Sequence, residues 1–219
     1  MLHRLRKFFE PKLDFKVDTE ESYEMLGEEN HGAWATLTQG LGPQSVIYSF
    51  GVGEDASWDL ALIEKCGVTV HAFDPTPKSI AWVQEQSWPE NFIFHEFGIA
   101  AYDGVQHFTL PIKEHWVSYS PARRGQGVDA PVKKLTTIMK ELGHAHIDVL
   151  KIDIEGGEYA VIDDLLTSRI HVDQILVEFH HRFREVGSGK TKKAVQQLRR
   201  AGFSIFYISA GEDEFSFAA

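Results

Sequence analysis

With 219 residues, 43% of them hydrophobic and 25% charged, the chain is long enough for one well-filled soluble domain and too short for two full-sized ones. Its formal net charge of −10 repels phosphate backbones at long range. The small basic groups at Arg123-Arg124, Lys190–Lys193 and Arg199-Arg200 read as solvated faces, so no nucleic-acid partner is expected. The single cysteine, Cys66, excludes an intrachain disulfide and makes a cysteine-based zinc centre implausible.

Residues 1–44 read as a polar N-terminal helical extension, interrupted at Asn30-His31-Gly32 and stopped at Gly40-Leu41-Gly42-Pro43. Its first nine residues mix Arg4, Arg6 and Lys7 with leucines and phenylalanines, without the apolar core of a signal peptide. No later run is long enough for a transmembrane span. No stable membrane insertion is expected, and the reading is cytoplasmic.

From Ser45 the texture changes to that of a second unit, residues 45–219. A strand at Ser45–Phe50 runs into Gly51-Val52-Gly53, followed by a helix at Ser57–Cys66. Val68–Phe73 is a second strand, ending in Asp74-Pro75, and a helix around Lys78–Gln86 leads to a third strand, Asn91–Phe97. Between Tyr102 and Pro131 the pattern is irregular, with an extra strand at Val105–Leu110 and a long loop at Ile112–Gly127. Helix Lys133–Leu142, strand Ile147–Ile154, helix 157–168, strand Gln174–Phe179 and helix Thr191–Ala201 follow. The chain closes on a hairpin of Phe203–Ser209 and Glu214–Phe217. Strands that are almost continuously apolar and alternate with helices predict an α/β fold, with a mostly parallel sheet, helices on both faces and one antiparallel strand from the closing hairpin.

Ligands of such sheets bind at the carboxyl ends of the strands. Gly51 and Gly53 allow a tight turn and close backbone approach there. Asp74, about twenty residues on, is placed to accept hydrogen bonds from a ribose diol. The third glycine of a dinucleotide fingerprint is missing, and Glu54-Asp55 stand in its place. Two acids repel a pyrophosphate but tolerate a sulfonium and an ammonium, so the loop favours S-adenosylmethionine over NAD or ATP. Phe50, Pro75 and the strand exit Phe97-Gly98-Ile99-Ala100 complete the expected cofactor contacts, Gly98 and Ile99 against the adenine.

In Ile147–Tyr159, period-2 alternation puts Lys151, Asp153 and Glu155 on one side of a strand otherwise rich in Val, Leu and Ile. Charges are costly to bury, so they are expected at the strand's carboxyl end, facing the cleft. Glu178 and His180 repeat the pattern on the next strand. If the two strands are neighbours, Asp153, Glu155, Glu178 and His180 converge. Such a set serves either as a general base with its orienting partner or as a magnesium or manganese site; the working expectation is the metal-free one.

The run Asp148–Tyr159, DVLKIDIEGGEY, resembles the signature of FkbM-type methyltransferases. Val70–Pro75 and Phe97–Ala100 resemble that family's second and third cofactor segments, and Gly32-Ala33-Trp34 a Gly-x-Trp element before the domain. The resemblance spans roughly residues 30–210. It implies a Rossmann-like methyltransferase fold with a seven-stranded sheet, S-adenosylmethionine at Gly51, Gly53 and Asp74, and Asp153 and Glu155 at the methyl-transfer site. It also implies acceptors bearing hydroxyls, on sugars or other secondary metabolites. Where the family commonly has an acid, two residues before the first glycine, this chain has Ser49, leaving Glu54, Asp55 or Asp153 to meet the methionine ammonium.

Lys113–Gly127 is long for a plain connector and carries Trp116, Tyr119, Arg123 and Arg124. Aromatic faces suit a sugar ring and arginines an anionic group, so Trp116, Tyr119 and Arg123 are the expected acceptor contacts. The leading expectation is O-methylation of a saccharide or glycoconjugate. Methylation of a small natural product or lipid, and a silent adenosyl-binding module that assists a partner, are the alternatives.

Overall fold

The computed structural model describes residues 13–28, 32–109, 120, 121, 127–183 and 186–219. The principal sheet contains β3 (Val46–Phe50), β4 (Thr69–Phe73), β5 (Phe92–His95), β10 (Ile147–Ile152), β11 (Val172–Glu178), β12 (Ser204–Ile208) and β13 (Glu214–Ala218). Their order across it is β12-β13-β11-β10-β3-β4-β5. Every neighbouring pair from β11 to β5 is parallel, and β13 pairs antiparallel with both β11 and β12. Only β13 therefore runs against the rest, as the closing hairpin predicts.

Alternation along the strands divides the core in two. Tyr48, Phe50, Leu150 and Ile152 face one side, where they meet α3 (Leu135–Leu142), α4 (Glu158–Ser168) and α5 (Ser188–Arg200). Ile47, Val149 and Leu176 face the other, against Trp58 and Leu62 of α1 (Ser57–Cys66) and Val83 of α2 (Pro77–Gln84). Pro77 at the start of α2 has its φ pre-set for a helix and no N–H to leave unsatisfied.

Two expectations are corrected. The described part of residues 1–44 holds no helix; it forms an antiparallel pair, β1 (Glu24–Leu26) and β2 (Trp34–Thr36). Strands of three residues are too short to show a period, and it is tertiary contact that holds them. Trp34, Ala35 and Thr36 are all buried, and the Gln174 side chain accepts from the Leu37 amide and donates to its carbonyl, both at 2.9 Å. Ser216 Oγ donates to the Ala35 carbonyl at 2.9 Å. The second correction concerns the irregular region, which holds a separate sheet of β6 (Gly98–Ile99), β7 (Gly104–Thr109), β8 (Ser120–Pro121) and β9 (Gly127–Lys133), ordered β6-β9-β7-β8. β9 alternates correctly, with Ala130 and Val132 buried, but Pro131 inside the run disguises it as a loop. The third strand consequently stops at His95, and α3 begins at Leu135 rather than Lys133.

Among the described residues no helix is long and apolar enough to cross a membrane.

Candidate active site

The chain steps outward from β3 to β4 and β5, then returns to the other side of β3 with β10 and β11. The carboxyl ends of β3 and β10 therefore face loops that diverge, which opens a crevice between them. A cavity of about 490 Å³ lies there. Phe50, Gly51, Gly53, Asp74, Pro75, Gly98, Ile99 and Asp153, all the residues expected to contact a cofactor, line it.

Its floor is locked by backbone geometry. Gly51 has φ 88°, and a Cβ there would collide with the Asp153 carbonyl oxygen, so the β3 and β10 turns touch only because residue 51 is glycine. The Gly51 amide donates to the Phe73 carbonyl at 3.0 Å, and the Asp153 amide to the Phe50 carbonyl at 3.0 Å. Beneath them the Phe50 and Phe73 rings stack at 4.4 Å.

Asp74 is buried and already engaged. Its Oδ2 accepts from the Gly53 amide at 2.9 Å, and its Oδ1 from the Thr76 amide and hydroxyl at 2.9 and 2.7 Å. Burial pushes its carboxyl up, while these donors work the other way. Oδ2 accepts one bond here, so a lone pair remains for a ligand hydroxyl.

The described cavity lining includes five carboxylates, Glu54, Asp55, Asp74, Asp153 and Glu155, and no lysine or arginine. Lys78 of α2 pairs with Glu54 at 2.8 Å, a partner the loop alone did not reveal. β7 contributes Gln106 and Phe108 to the wall, which sequence reasoning did not assign.

Asp153, Glu155, Glu178 and His180 do converge. Asp153 and Glu155 sit in the turn after β10, and Glu178 and His180 at the end of β11, its neighbour in the sheet. His180 Nε2 lies 3.3 Å from Glu155 Oε2, 3.7 Å from Asp153 Oδ1 and 3.9 Å from Glu178 Oε1. Burial opposes charge on His180, but Glu158, Glu155 and Asp153 more than offset it and raise the ring to about 9. Burial, then Asp153 and Glu155, push Glu178 up to about 8, with His180 opposing. The carboxylates thus favour the charged form of His180, and burial with its acidic neighbours disfavours that of Glu178.

Glu158, the last acid of the signature run, was given no role by the sequence reading. It is fully buried; its Oε2 accepts from the Gly156 amide at 2.8 Å and its Oε1 from the His180 amide at 2.9 Å. One carboxylate thus fixes both the turn that carries Glu155 and the residue that carries His180.

Lys151 departs from the expected cleft. It is 5% exposed on the opposite face of the sheet from Leu150, with its ammonium 5.2 Å from the Trp34 ring centroid and 3.5 Å from the Gly51 carbonyl. It borders a second cavity of about 60 Å³ together with Asp55, Asp59 and Asp153. Asp55 Oδ2 is buried without a hydrogen-bond partner, while Lys151 and the Ser49 hydroxyl both counter the rise that burial imposes on the Asp59 carboxyl. Trp116, Tyr119 and Arg123 lie outside the described residues.

The strand order, the glycine turn and the acidic cavity define a Rossmann-like methyltransferase fold. Residues 45–205 match the model of the methyltransferase FkbM domain, and the chain belongs to that family. It is also similar to "probable methyltransferase-like protein 24" of Rattus norvegicus, 27% identical over 174 residues, and of Homo sapiens, 29% identical over 139. These alignments cover 75% and 63% of this chain but only 43% and 33% of the relatives, so the chain spans less than half their length.

Proposed function

We propose that the chain is an S-adenosylmethionine-dependent O-methyltransferase, with a hydroxyl of a sugar or glycoconjugate as its acceptor. The observation that carries this reading is the cavity at the strand ends, whose described walls hold five carboxylates and no basic side chain. That donor set suits a cationic adenosyl cofactor and opposes a pyrophosphate. When bound, S-adenosylmethionine supplies a methyl group already activated on a sulfonium.

The chain's own residues then have three tasks. Gly51, Gly53 and the Asp74 Oδ2 lone pair would hold the adenosine part, with Ile99 against the base. Asp55 and Asp59, on the wall of the small cavity, would supply the negative charge that Ser49 cannot, and Lys151 beside them would balance the amino-acid carboxylate. Asp153 or Glu155, on the cavity wall, would take the proton of the acceptor hydroxyl. A sugar hydroxyl is a weak nucleophile at neutral pH, and a carboxylate within reach aids it. His180 Nε2, 3.7 Å from Asp153 Oδ1 and 3.3 Å from Glu155 Oε2, would orient that carboxylate. Support for a sugar rests on the aromatic and arginine content of Lys113–Gly127.

Calorimetric titration with S-adenosylmethionine tests the cofactor; absence of binding would sink the reading. Asp153→Asn should retain binding and lose turnover with labelled cofactor across a panel of glycan acceptors. A variant that keeps full turnover would remove Asp153 from the site.

A further inference from the structure

We propose that Asp153, Glu155, Glu178 and His180 form a divalent-cation site on the wall of the cavity, suited to manganese or magnesium. Ligand atoms of Asp153, Glu155 and His180 all lie within 4.8 Å of one another, and Glu178 Oε1 is 3.9 Å from the same imidazole nitrogen. Around a cation with bonds of about 2.1 Å, adjacent octahedral ligands sit roughly 3 Å apart. The 3.3 and 3.7 Å separations of His180 Nε2 from Glu155 and Asp153 need only a small contraction to reach that spacing.

Two further features set this cluster apart from an acidic patch. His180 is 8% exposed, with Nε2 directed at three carboxylates and Nδ1 turned to a fourth, Glu158. Glu158 Oε1 lies 3.5 Å from that Nδ1 and already holds the His180 amide. A carboxylate on the far nitrogen is the partner that orients a metal-ligating histidine and raises its basicity. Glu155 has φ 53°, a conformation costly for any residue but glycine, and the Glu158 bond to the Gly156 amide holds the turn in which this strain sits. Carboxylate oxygens with a single imidazole favour manganese or magnesium over softer metals.

Cation binding stands on this geometry alone. Its use, to hold an acceptor oxygen beside Asp153 and Glu155 and favour loss of that oxygen's proton, rests on the methyltransferase reading.

Manganese chloride titrated into the whole chain, followed by electron paramagnetic resonance and calorimetry, tests the site. One Mn²⁺ per chain is expected, weakened at least tenfold by His180→Ala and by Asp153→Asn and unchanged by Glu64→Gln on α1. Glu158→Gln, a positioning change, should alter the resonance line shape with a smaller loss of affinity. Circular dichroism of each variant separates lost binding from lost fold, and His180→Asn provides a gentler substitution where the alanine variant unfolds. Absence of binding, or several weak equivalent sites indifferent to these substitutions, would overturn the proposal. S-adenosylmethionine titrated into metal-free protein keeps the two ideas apart: cofactor binding without any Mn²⁺ site rejects the cation and leaves the methyltransferase reading intact.

Discussion

The amide of Gly53 donates to Asp74 Oδ2 across 2.9 Å, joining the glycine turn after the first parallel strand to the end of the second. The same carboxylate holds the Thr76 amide and hydroxyl, so Asp74 braces the cofactor loop before any ligand arrives. Asp74→Ala leaves two backbone donors without their acceptor, at a cost of about 2 kcal/mol or more. Thr76→Val removes only the hydroxyl bond and should cost about 1 kcal/mol. Urea denaturation with an unchanged slope measures both. Equal midpoints for Asp74→Ala and the parent would show that the brace contributes nothing.

Lys151 and Asp59 share the small cavity, and the lysine's charge counters the rise that burial imposes on the Asp59 carboxyl. Lys151→Met strands a buried acid and should destabilise by about 3 kcal/mol. Asp59→Asn added to it should recover part of that loss, a coupling that a double-mutant cycle reads directly. Additive losses would mean that the two groups do not interact.

His71 lies against His95, with Nδ1 to Nε2 at 3.1 Å, and its ring is 5.2 Å from that of His144. Burial first, then the charges of His95 and His144, lower it from 6.5 to about 4. The unfolded chain therefore takes up this proton at higher pH than the native one. Its contribution to stability is complete above about 6.5 and is lost as pH falls towards 4. His71→Asn should flatten the decline in denaturation midpoint across that window; an identical decline in the variant would assign the acid sensitivity elsewhere.

The Gln174 amide holds both the N–H and the C=O of Leu37, anchoring the strand pair that carries Trp34. Gln174→Ala should cost about 1–2 kcal/mol and speed proteolytic cleavage near residues 37–42. Unchanged cleavage would show that Trp34 burial holds the segment unaided.

The parallel sheet was legible because its strands are apolar runs ended by glycine or acid, signals that survive without tertiary context. Asp153, Glu155, Glu178 and His180 were legible because alternation on two successive strands put them at the same height. Glu158 escaped notice because its importance lies in two backbone amides it accepts from, which no spacing rule reports. The β1–β2 pair was hidden for a related reason: Gln174, 137 residues away from Leu37, supplies the bonds that hold it. Lys78 on Glu54 likewise joins elements that a loop-by-loop count of charge keeps separate.

The position of β13 bears on how the protein is made. It follows β12 in the chain but lies between β12 and β11, filling the slot with Phe215 and Phe217, both fully buried. However the chain emerges, β12 has no place to dock in the sheet until β13 is in position. The edge of β11 stays open over that interval, with its unpaired amides available to other nascent chains. A chain cut after residue 209 should therefore hold a sheet that ends at β11, aggregation-prone for want of the strand that closes it.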